Sequence, residues 1–235
     1  MALLFGAAAS SSAEQSISQQ LTTNWGPLGA ISPELPNNHV PFIESFEIKA
    51  HFAAAQPTRA LDLIRRSWGW YINNPLGTES TMVEGYLPDG TFGYRATAPG
   101  GYEGDYSFTS HSHGWSTGPV HALSTYVVGL SLTAPGGSTW QLAPQFGDLS
   151  SAEGGFTTPL GPFSSGWNLT GSEYTLWYTV PTGTTGTIVT PGSQPSVVMD
   201  GKTTTLGSGE YDIGSKEITL TVQGDGKRHE LTISL

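Results

Sequence analysis

The sequence predicts a mixed, two-domain fold in which a helical part is followed by an antiparallel β-sandwich. Apolar residues recur at helical spacing from residue 13 to about residue 130. The segment TAPGGST, residues 133–139, ends this pattern, and short alternating runs such as EYTLWYTV and EITLTV follow it between Gly- and Pro-containing turns. We therefore divide the chain into residues 1–132 and residues 133–235.

The first two predicted helices have recognisable starting residues. One helix is expected over residues 13–23, where Ser12 precedes Gln15 at the spacing of a capping box. A second helix is expected over residues 41–55, because Pro41 suits a first helical turn and aromatic and aliphatic residues follow at steps of four.

Two further helices complete the first part. The third has Thr58 as a candidate N-cap and stops before Pro75, and the fourth begins at Pro119 within PVHALSTYVVGLSL. All four are aromatic and weakly charged, whereas a free-standing bundle needs a polar outer face. They are therefore interpreted as part of a larger helical assembly.

The composition argues against several classes of function. The chain carries a net charge of −10 with 12% charged residues, so no basic surface for nucleic acid or anionic lipid is expected. There is no cysteine, which excludes disulfides and thiolate metal sites. The sequence contains no run of about 18 apolar residues, which is the length that would indicate a membrane span. The N-terminal MALLFGAAASSSAEQ has no positive leading region, so it does not make a convincing signal peptide.

Glu84 is the first candidate for chemistry. It lies in STMVEGYLPDGTFGY, among apolar and glycine neighbours, where partial loss of solvent would raise the pKa of a carboxyl toward general acid or base work. A loop glutamate is also often solvated or caps a helix. From the residues alone, both interpretations stay open.

A histidine-containing segment, SHSHGWSTGPVHAL, is the second candidate. His111, His113 and His121 could be read as metal ligands, but their spacing converges only if a strand and the next helix bring them together. We favour the interpretation that a histidine of this segment hydrogen-bonds to a carboxylate or a sugar hydroxyl, since the neighbouring Gly114 and Trp115 suggest the wall of a binding site. We expect no metal. No G-x-S-x-G motif indicates a serine hydrolase.

Other acidic residues have ordinary interpretations. Glu44 and Glu47 lie three apart on the second helix, where surface or buried hydrogen-bonding roles are expected. Asp89 is expected to close the Pro-Asp-Gly turn. Glu103 and Asp105 lie in the glycine-rich GGYEGDYSF, which suits solvation or a lid.

The second part offers aromatic residues and one sequon. Trp140, Trp167, Trp177 and Tyr178 are expected to fill the sandwich core, and the alternative is that they form a sugar-binding surface. The sequon at Asn168 permits N-glycosylation if the chain is secreted.

Two long segments carry a family resemblance: RALDLIRRSWGWYINNPLGTESTMVEGYLPDGTFGYR and SHSHGWSTGPVHALSTYVVGLSLTAPGGSTWQLAPQFGDL. Together they resemble the carboxy-terminal part of fungal α-L-rhamnosidases of glycoside hydrolase family 78, from the first residues to at least Thr158. The resemblance implies an all-α (α/α)6 six-hairpin barrel segment followed by a C-terminal β-sandwich. It also implies an extracellular protein that needs no cofactor and hydrolyses terminal α-L-rhamnose with inversion.

The resemblance assigns roles to individual residues. Glu84 corresponds to the general base that activates water, and His113 corresponds to the sugar-binding histidine. His111 is a second candidate sugar contact, and Trp115 is a candidate wall residue. A rhamnosylated carbohydrate or glycoside is the implied substrate.

An inverting glycosidase also needs a general acid about 6.5–9.5 Å from the base. In the family this residue comes from an earlier barrel loop, and the chain resembles only the last hairpins. We therefore expect little hydrolysis by this chain alone. Two alternatives remain: a non-catalytic carbohydrate-binding or accessory module, and a chain that completes a barrel with another polypeptide.

Overall fold

The chain folds into two compact units, Met1–Ala122 and Leu123–Leu235. A computed structural model describes residues 1–95, 102 and 105–235. The sequence-based division at residue 133 lies farther along the chain. The difference arises because strand β3 (Leu130–Leu132) pairs with strand β4 (Thr139–Leu142) and so belongs with the second unit.

Helices dominate the regular structure of the first unit. They are α1 (Ser11–Leu21), α2 (Pro41–Ala53), α3 (Pro57–Ile64), α4 (Trp70–Ile72) and α5 (Gly118–Ala122). A π-helical turn, Arg65–Gly69, joins α3 to α4, so these two form one continuous helical segment. Helices α2 and α3 pack against each other. The four predicted helical regions are therefore present, with shifted ends.

The residues that begin the helices differ in part from the prediction. Pro41 occupies the first turn of α2, as expected. The N-cap of α1 is Ser10 instead of Ser12, because Ser10 has the extended backbone that lets its Oγ accept from the Ala13 amide at 3.2 Å. Thr58 is not a cap, since it lies inside α3 behind Pro57.

The first unit is not all-α. Strands β1 (Trp25–Gly26) and β2 (Gly29–Ala30) form a short antiparallel hairpin, which Gly29 permits by adopting a φ of +129°. Between α4 and α5, the described residues contain only two short 3₁₀ turns, Tyr106–Phe108 and Gly114–Ser116. The predicted fourth helix continues beyond α5 as a π-helical turn, Leu123–Val127, and then ends early, because its last residues form strand β3.

The second unit is a β-sandwich of two sheets. Its other strands are β5 (Ser151–Thr158), β6 (Gly161–Thr170), β7 (Glu173–Thr179), β8 (Thr185–Pro191), β9 (Ser196–Met199), β10 (Lys202–Thr205), β11 (Tyr211–Asp212), β12 (Glu217–Gln223) and β13 (Arg228–Ser234). One sheet has the order β10-β9-β13-β7-β6-β5, and the other has the order β11-β12-β8-β4-β3. The predicted sandwich is confirmed.

The sandwich is not entirely antiparallel, because β4 and β8 run parallel, with Thr139 opposite Thr185. Parallel neighbours need a crossover connection, and here β5, β6 and β7 of the opposite sheet supply it. Alternation of apolar residues does not encode strand direction, so the sequence pattern could not reveal this pair.

The sandwich core is built from large aromatic side chains. Trp140 lies over Gly186 of the neighbouring strand, where a side chain would collide with the indole, and packs 5.5 Å from Tyr178 of the opposite sheet. Trp167 is buried, and its Nε1 donates to the Val127 carbonyl at 2.7 Å. These three aromatic residues fill the core, as expected, and so expose no face for a sugar.

His229 joins two turns of the second unit. Its Nδ1 lies 2.7 Å from Asp200 Oδ2, and its Nε2 lies 3.0 Å from Asp225 Oδ1. Hydrogen bonding to Asp200 raises the pKa of His229, and Asp225 adds to the effect. The pKa values of both aspartates are lowered, with His229 the leading cause for Asp200 and the Lys227 amide for Asp225.

We expect the stability of the second unit to depend on pH through this cluster. Because the folded pKa of His229 is raised, its contribution is complete below about pH 6.5 and is lost as pH rises through the folded pKa. The aspartates contribute above their ordinary pKa and lose that contribution as pH falls. Urea unfolding should therefore show stability declining as pH rises above about 6.5, and His229→Gln should remove that decline.

Asp212→Asn is the matched control, because Asp212 accepts backbone hydrogen bonds from Gly214 and Ser215 in another turn of the same unit. This change should alter the stability at acidic pH and leave the decline in stability above about pH 6.5 intact. If His229→Gln kept the same decline in stability above about pH 6.5, His229 would not be its cause.

Candidate functional site

The segment that carries Glu84 is paired with the histidine-containing segment. The Glu84 amide donates to the Ser110 carbonyl, and the His113 amide donates to the Met82 carbonyl, both at 2.8 Å. Two regions that the sequence separates by more than twenty residues are thereby brought together. The candidate base and the candidate sugar-binding histidine thus lie on adjacent backbone segments.

A second contact fixes the other side of this segment. His39 and Tyr86 exchange backbone hydrogen bonds of 2.8 and 3.2 Å, and their rings stack with centroids 4.8 Å apart. Between them, Gly85 leaves no room for a side chain, because a Cβ would approach the His39 carbonyl to 2.8 Å and would collide with the Tyr94 ring. The backbone around Glu84 is therefore held on both sides.

The Glu84 carboxylate is half-buried and has two donors. The Tyr102 hydroxyl lies 2.8 Å from Oε1 and 2.9 Å from Oε2, and the Ser110 amide donates to Oε2 at 3.2 Å. Burial raises the pKa of Tyr102, and the bond to Glu84 raises it further. Burial and the negative charge of Glu84 also raise the pKa of Tyr94. Both phenols therefore stay protonated at neutral pH, and Tyr102 is a hydrogen-bond donor.

His113 and Trp115 lie side by side next to this carboxylate segment. The His113 ring is half-buried and meets the edge of Trp115, with centroids 4.9 Å apart. Trp115 is 64% exposed, and its other neighbour is Phe42 of α2 at 5.2 Å. An exposed indole beside a histidine is compatible with the predicted wall role, which stays a prediction.

His111 has structural partners of its own. Its Nδ1 lies 3.1 Å from the Tyr71 hydroxyl on α4, and its ring packs edge-on to Phe92 at 4.7 Å. The Thr81 hydroxyl donates to the His111 carbonyl. The ring is thus part of an aromatic cluster, and these contacts account for its placement without a sugar.

No group of three or more histidine, aspartate, glutamate or cysteine side chains in the described part of the chain is arranged to hold a metal ion. His121, the third histidine of the segment, lies on α5. Burial lowers its pKa, and the charge of Lys49 lowers it further. The three histidines do not converge on one point.

Glu44 forms a buried polar cluster close to the candidate site. It is 2% exposed, and its carboxylate accepts from the Ala30 amide at 2.6 Å and the Ser67 hydroxyl at 2.5 Å. His39 Nδ1 lies 3.8 Å from Oε1. Burial raises the pKa of Glu44 above its ordinary value, although its hydrogen bonds act in the opposite direction. Gly29 makes the approach feasible, since a side chain there would collide with the carboxylate.

The remaining acids have local roles. Glu47 accepts from Trp25 Nε1 at 2.5 Å. Asp89 accepts from the Thr91 amide at 2.9 Å and so closes its turn, as expected. Asp105 accepts from the amide and hydroxyl of Ser107, which lower its pKa. Glu103 lies outside the described residues.

Two candidates of the sandwich lie away from its core. Trp177 is half-buried, with the Arg228 guanidinium 4.1 Å from its ring and Gly166 beneath it. Trp177 therefore packs against Arg228 and Gly166 and, contrary to expectation, does not fill the core. Asn168 is exposed on β6, where its amide lies 3.5 Å from the Thr170 hydroxyl. Its glycosylation stays a prediction.

Sequence reasoning missed Tyr102, the principal side-chain partner of Glu84. In the segment GGYEGDYSF only the acidic residues were considered. Tyr102 directly follows the first two glycines of this segment. An aromatic hydroxyl inside a glycine-rich loop, next to a candidate carboxylate site, was the available signal. Ser110, whose backbone holds Glu84, has no signal in the sequence.

The sandwich is of a class found in glycosidases. More particularly, residues 129–205 match the family model described as the bacterial alpha-L-rhamnosidase C-terminal domain. This region is therefore similar to the C-terminal domain of bacterial α-L-rhamnosidases. No curated protein gives a significant sequence match.

Solved structures with a similar fold include several α-L-rhamnosidases. The family 78 rhamnosidase of Bacillus sp. GL1 is 25% identical over 81% of this chain and 18% of its own length, with a TM-score of 0.60. The Aspergillus terreus enzyme is 22% identical over 94% of this chain and 23% of its own, with a TM-score of 0.58. The Streptomyces avermitilis enzyme, solved with L-rhamnose, is 20% identical over 81% of this chain and 17% of its own length, with a TM-score of 0.59.

The chain thus spans about a fifth of the length of these enzymes. The comparisons support the rhamnosidase family, and they include both bacterial and fungal proteins, so the fungal assignment stays a prediction. Within the described residues, no helix is long and apolar enough to cross a membrane.

We expect Gly85→Ala to destabilise the first unit. The added methyl group must displace Tyr94 or the His39 backbone, and overpacking of this kind costs about 1–3 kcal/mol. Gly114→Ala is the matched control, because nothing lies within 4 Å of a Cβ at that position. Its effect should stay within about 0.5 kcal/mol. Urea unfolding of both variants measures the difference, and equal stabilities would contradict the close packing around Glu84.

Proposed function

We propose that this chain is part of an α-L-rhamnosidase of glycoside hydrolase family 78 that acts on terminal α-L-rhamnose with inversion. The rhamnosidase C-terminal domain at residues 129–205 supports the family. The Streptomyces avermitilis relative, solved with L-rhamnose, supports the sugar. The contacts around Glu84 support its role as a general base.

Glu84 is the proposed general base. The observation that carries this role is the pairing of its backbone with Ser110 and of Met82 with His113, which brings the segment of a half-buried carboxylate next to the segment of a histidine and an exposed indole. One carboxylate oxygen takes a proton from water, and the water oxygen bonds to the anomeric carbon as the bond to the leaving oxygen breaks. The leaving oxygen takes its proton from a general acid.

Three other acidic residues of the first unit do not suit that second role. Glu44 is buried, and both of its oxygens are engaged. Glu47 is bound to Trp25 Nε1. The pKa of Asp105 is lowered, so it is ionised when an acid must be protonated. We therefore assign no general acid to the described residues and propose that this chain alone hydrolyses ordinary rhamnosides poorly.

The first unit is the proposed segment of an (α/α)6 barrel. Support comes from the packing of α2 on α3 and from a groove of about 760 Å³ along α2, lined by apolar residues that include Phe42, Ile43 and Phe46. Further helices of a barrel, from the same or another polypeptide, would cover such a surface. An extracellular location and a glycan at Asn168 belong to the same proposal.

A rhamnoside with an activated leaving group tests Glu84 without a general acid. 2,4-Dinitrophenolate departs without protonation, so the 235-residue chain should hydrolyse 2,4-dinitrophenyl α-L-rhamnoside while leaving methyl α-L-rhamnoside essentially intact. Glu84→Gln should lower the rate by about 10²- to 10⁴-fold, the usual contribution of a general base. Release of dinitrophenolate, followed by absorbance, measures the rate.

Azide provides a second readout, because a small anion can replace the water that the base activates. Glu84→Ala with azide should recover turnover and give a β-rhamnosyl azide, identified by NMR. Asp105→Asn is the control, since that exposed carboxylate is bound within its own turn. Equal rates for the wild-type chain and Glu84→Gln would overturn the assignment. Rapid hydrolysis of methyl rhamnoside would show that a general acid had been missed.

A further inference from the structure

Tyr102 stands in direct contact with the proposed base. Its hydroxyl hydrogen is shared between the two oxygens of Glu84, at O···O distances of 2.8 and 2.9 Å. We propose that Tyr102 is a positioning residue for Glu84, whose phenol keeps the carboxylate oriented for proton abstraction. This inference rests on the proposed function of Glu84 and adds a second residue to it.

The two donors load the oxygens of Glu84 unequally, since the phenol contacts both and the Ser110 amide contacts only Oε2. A carboxylate accepts at two oxygens, and the Ser110 amide already binds Oε2. Oε1 has the phenol as its one donor, so it is the less heavily engaged oxygen and the one assigned to accept a proton from water. A hydrogen bond to a charged acceptor is strong, so the phenol can hold the carboxylate in this orientation.

Neighbouring rings hold Tyr102 in this position. The Tyr94 ring lies edge-on at 6.1 Å, and the Phe108 ring lies at 5.9 Å. Tyr94 in turn packs against Gly85, next to the carboxylate. The phenol is therefore supported from two sides, and the raised pKa of Tyr102, caused first by burial and then by Glu84, keeps it a donor.

NMR titration of the chain labelled with ¹³Cζ-tyrosine tests the contact without turnover. Tyr102→Phe identifies the Tyr102 resonance by its loss. Glu84→Gln should lower the Tyr102 pKa, because both the hydrogen bond to a charged acceptor and the charge itself are removed. Tyr106, exposed on the same segment, is the control, and its titration should not move. An unchanged Tyr102 titration in Glu84→Gln would overturn the inference.

Turnover of dinitrophenyl rhamnoside tests the consequence. Loss of one hydrogen bond to a charged group should lower kcat of Tyr102→Phe about tenfold, with KM little changed. Tyr106→Phe should behave as the wild type. If Glu84→Gln abolishes turnover while Tyr102→Phe retains full kcat, the positioning role is wrong and the proposed function stands. If the wild-type chain and Glu84→Gln do not differ, the proposed function fails and the positioning role fails with it, whatever the titration reports.

Discussion

The buried carboxylate of Glu44 holds together the segments on which the candidate site depends. It joins α2 to the hairpin at Ala30 and to the π-helical turn at Ser67, and His39 lies beside it. Each buried donor left without its partner would cost about 1–3 kcal/mol. Because His39 also pairs with the backbone of Tyr86, the same cluster supports the segment that carries Glu84. The site is thus built on interior hydrogen bonds as well as on apolar packing.

Two glutamates of the first unit show how surroundings divide the roles of identical side chains. Glu44 is enclosed, and its partners are fixed groups of the fold. Glu84 is half-buried, and its side-chain partner is a phenol that lies against both of its oxygens. The first arrangement suits a permanent structural contact, and the second suits a group that must exchange partners during a reaction.

Local signals in the sequence predicted local features well. Pro41 marks the start of α2 because its fixed φ suits a first turn, and alternating residues such as Tyr174 and Leu176 predicted strands with a buried face. The N-cap was misplaced by two residues because Ser10 and Ser12 are chemically equivalent, and only the backbone distinguishes them. The backbone partner of Glu84 could not be predicted, since Ser110 lies 26 positions along the chain and no local pattern encodes such a contact.

The parallel pairing of β4 with β8 also governs the order in which the second unit can fold. Strand β4 is made early, but its partner follows only after β5, β6 and β7, which join the opposite sheet. Closing so long a loop is entropically costly, and non-local pairing slows folding. Until β8 arrives, the free edge of β4 is a template for strands of other chains. During synthesis, the risk of association therefore lasts from the release of β4 to the release of β8.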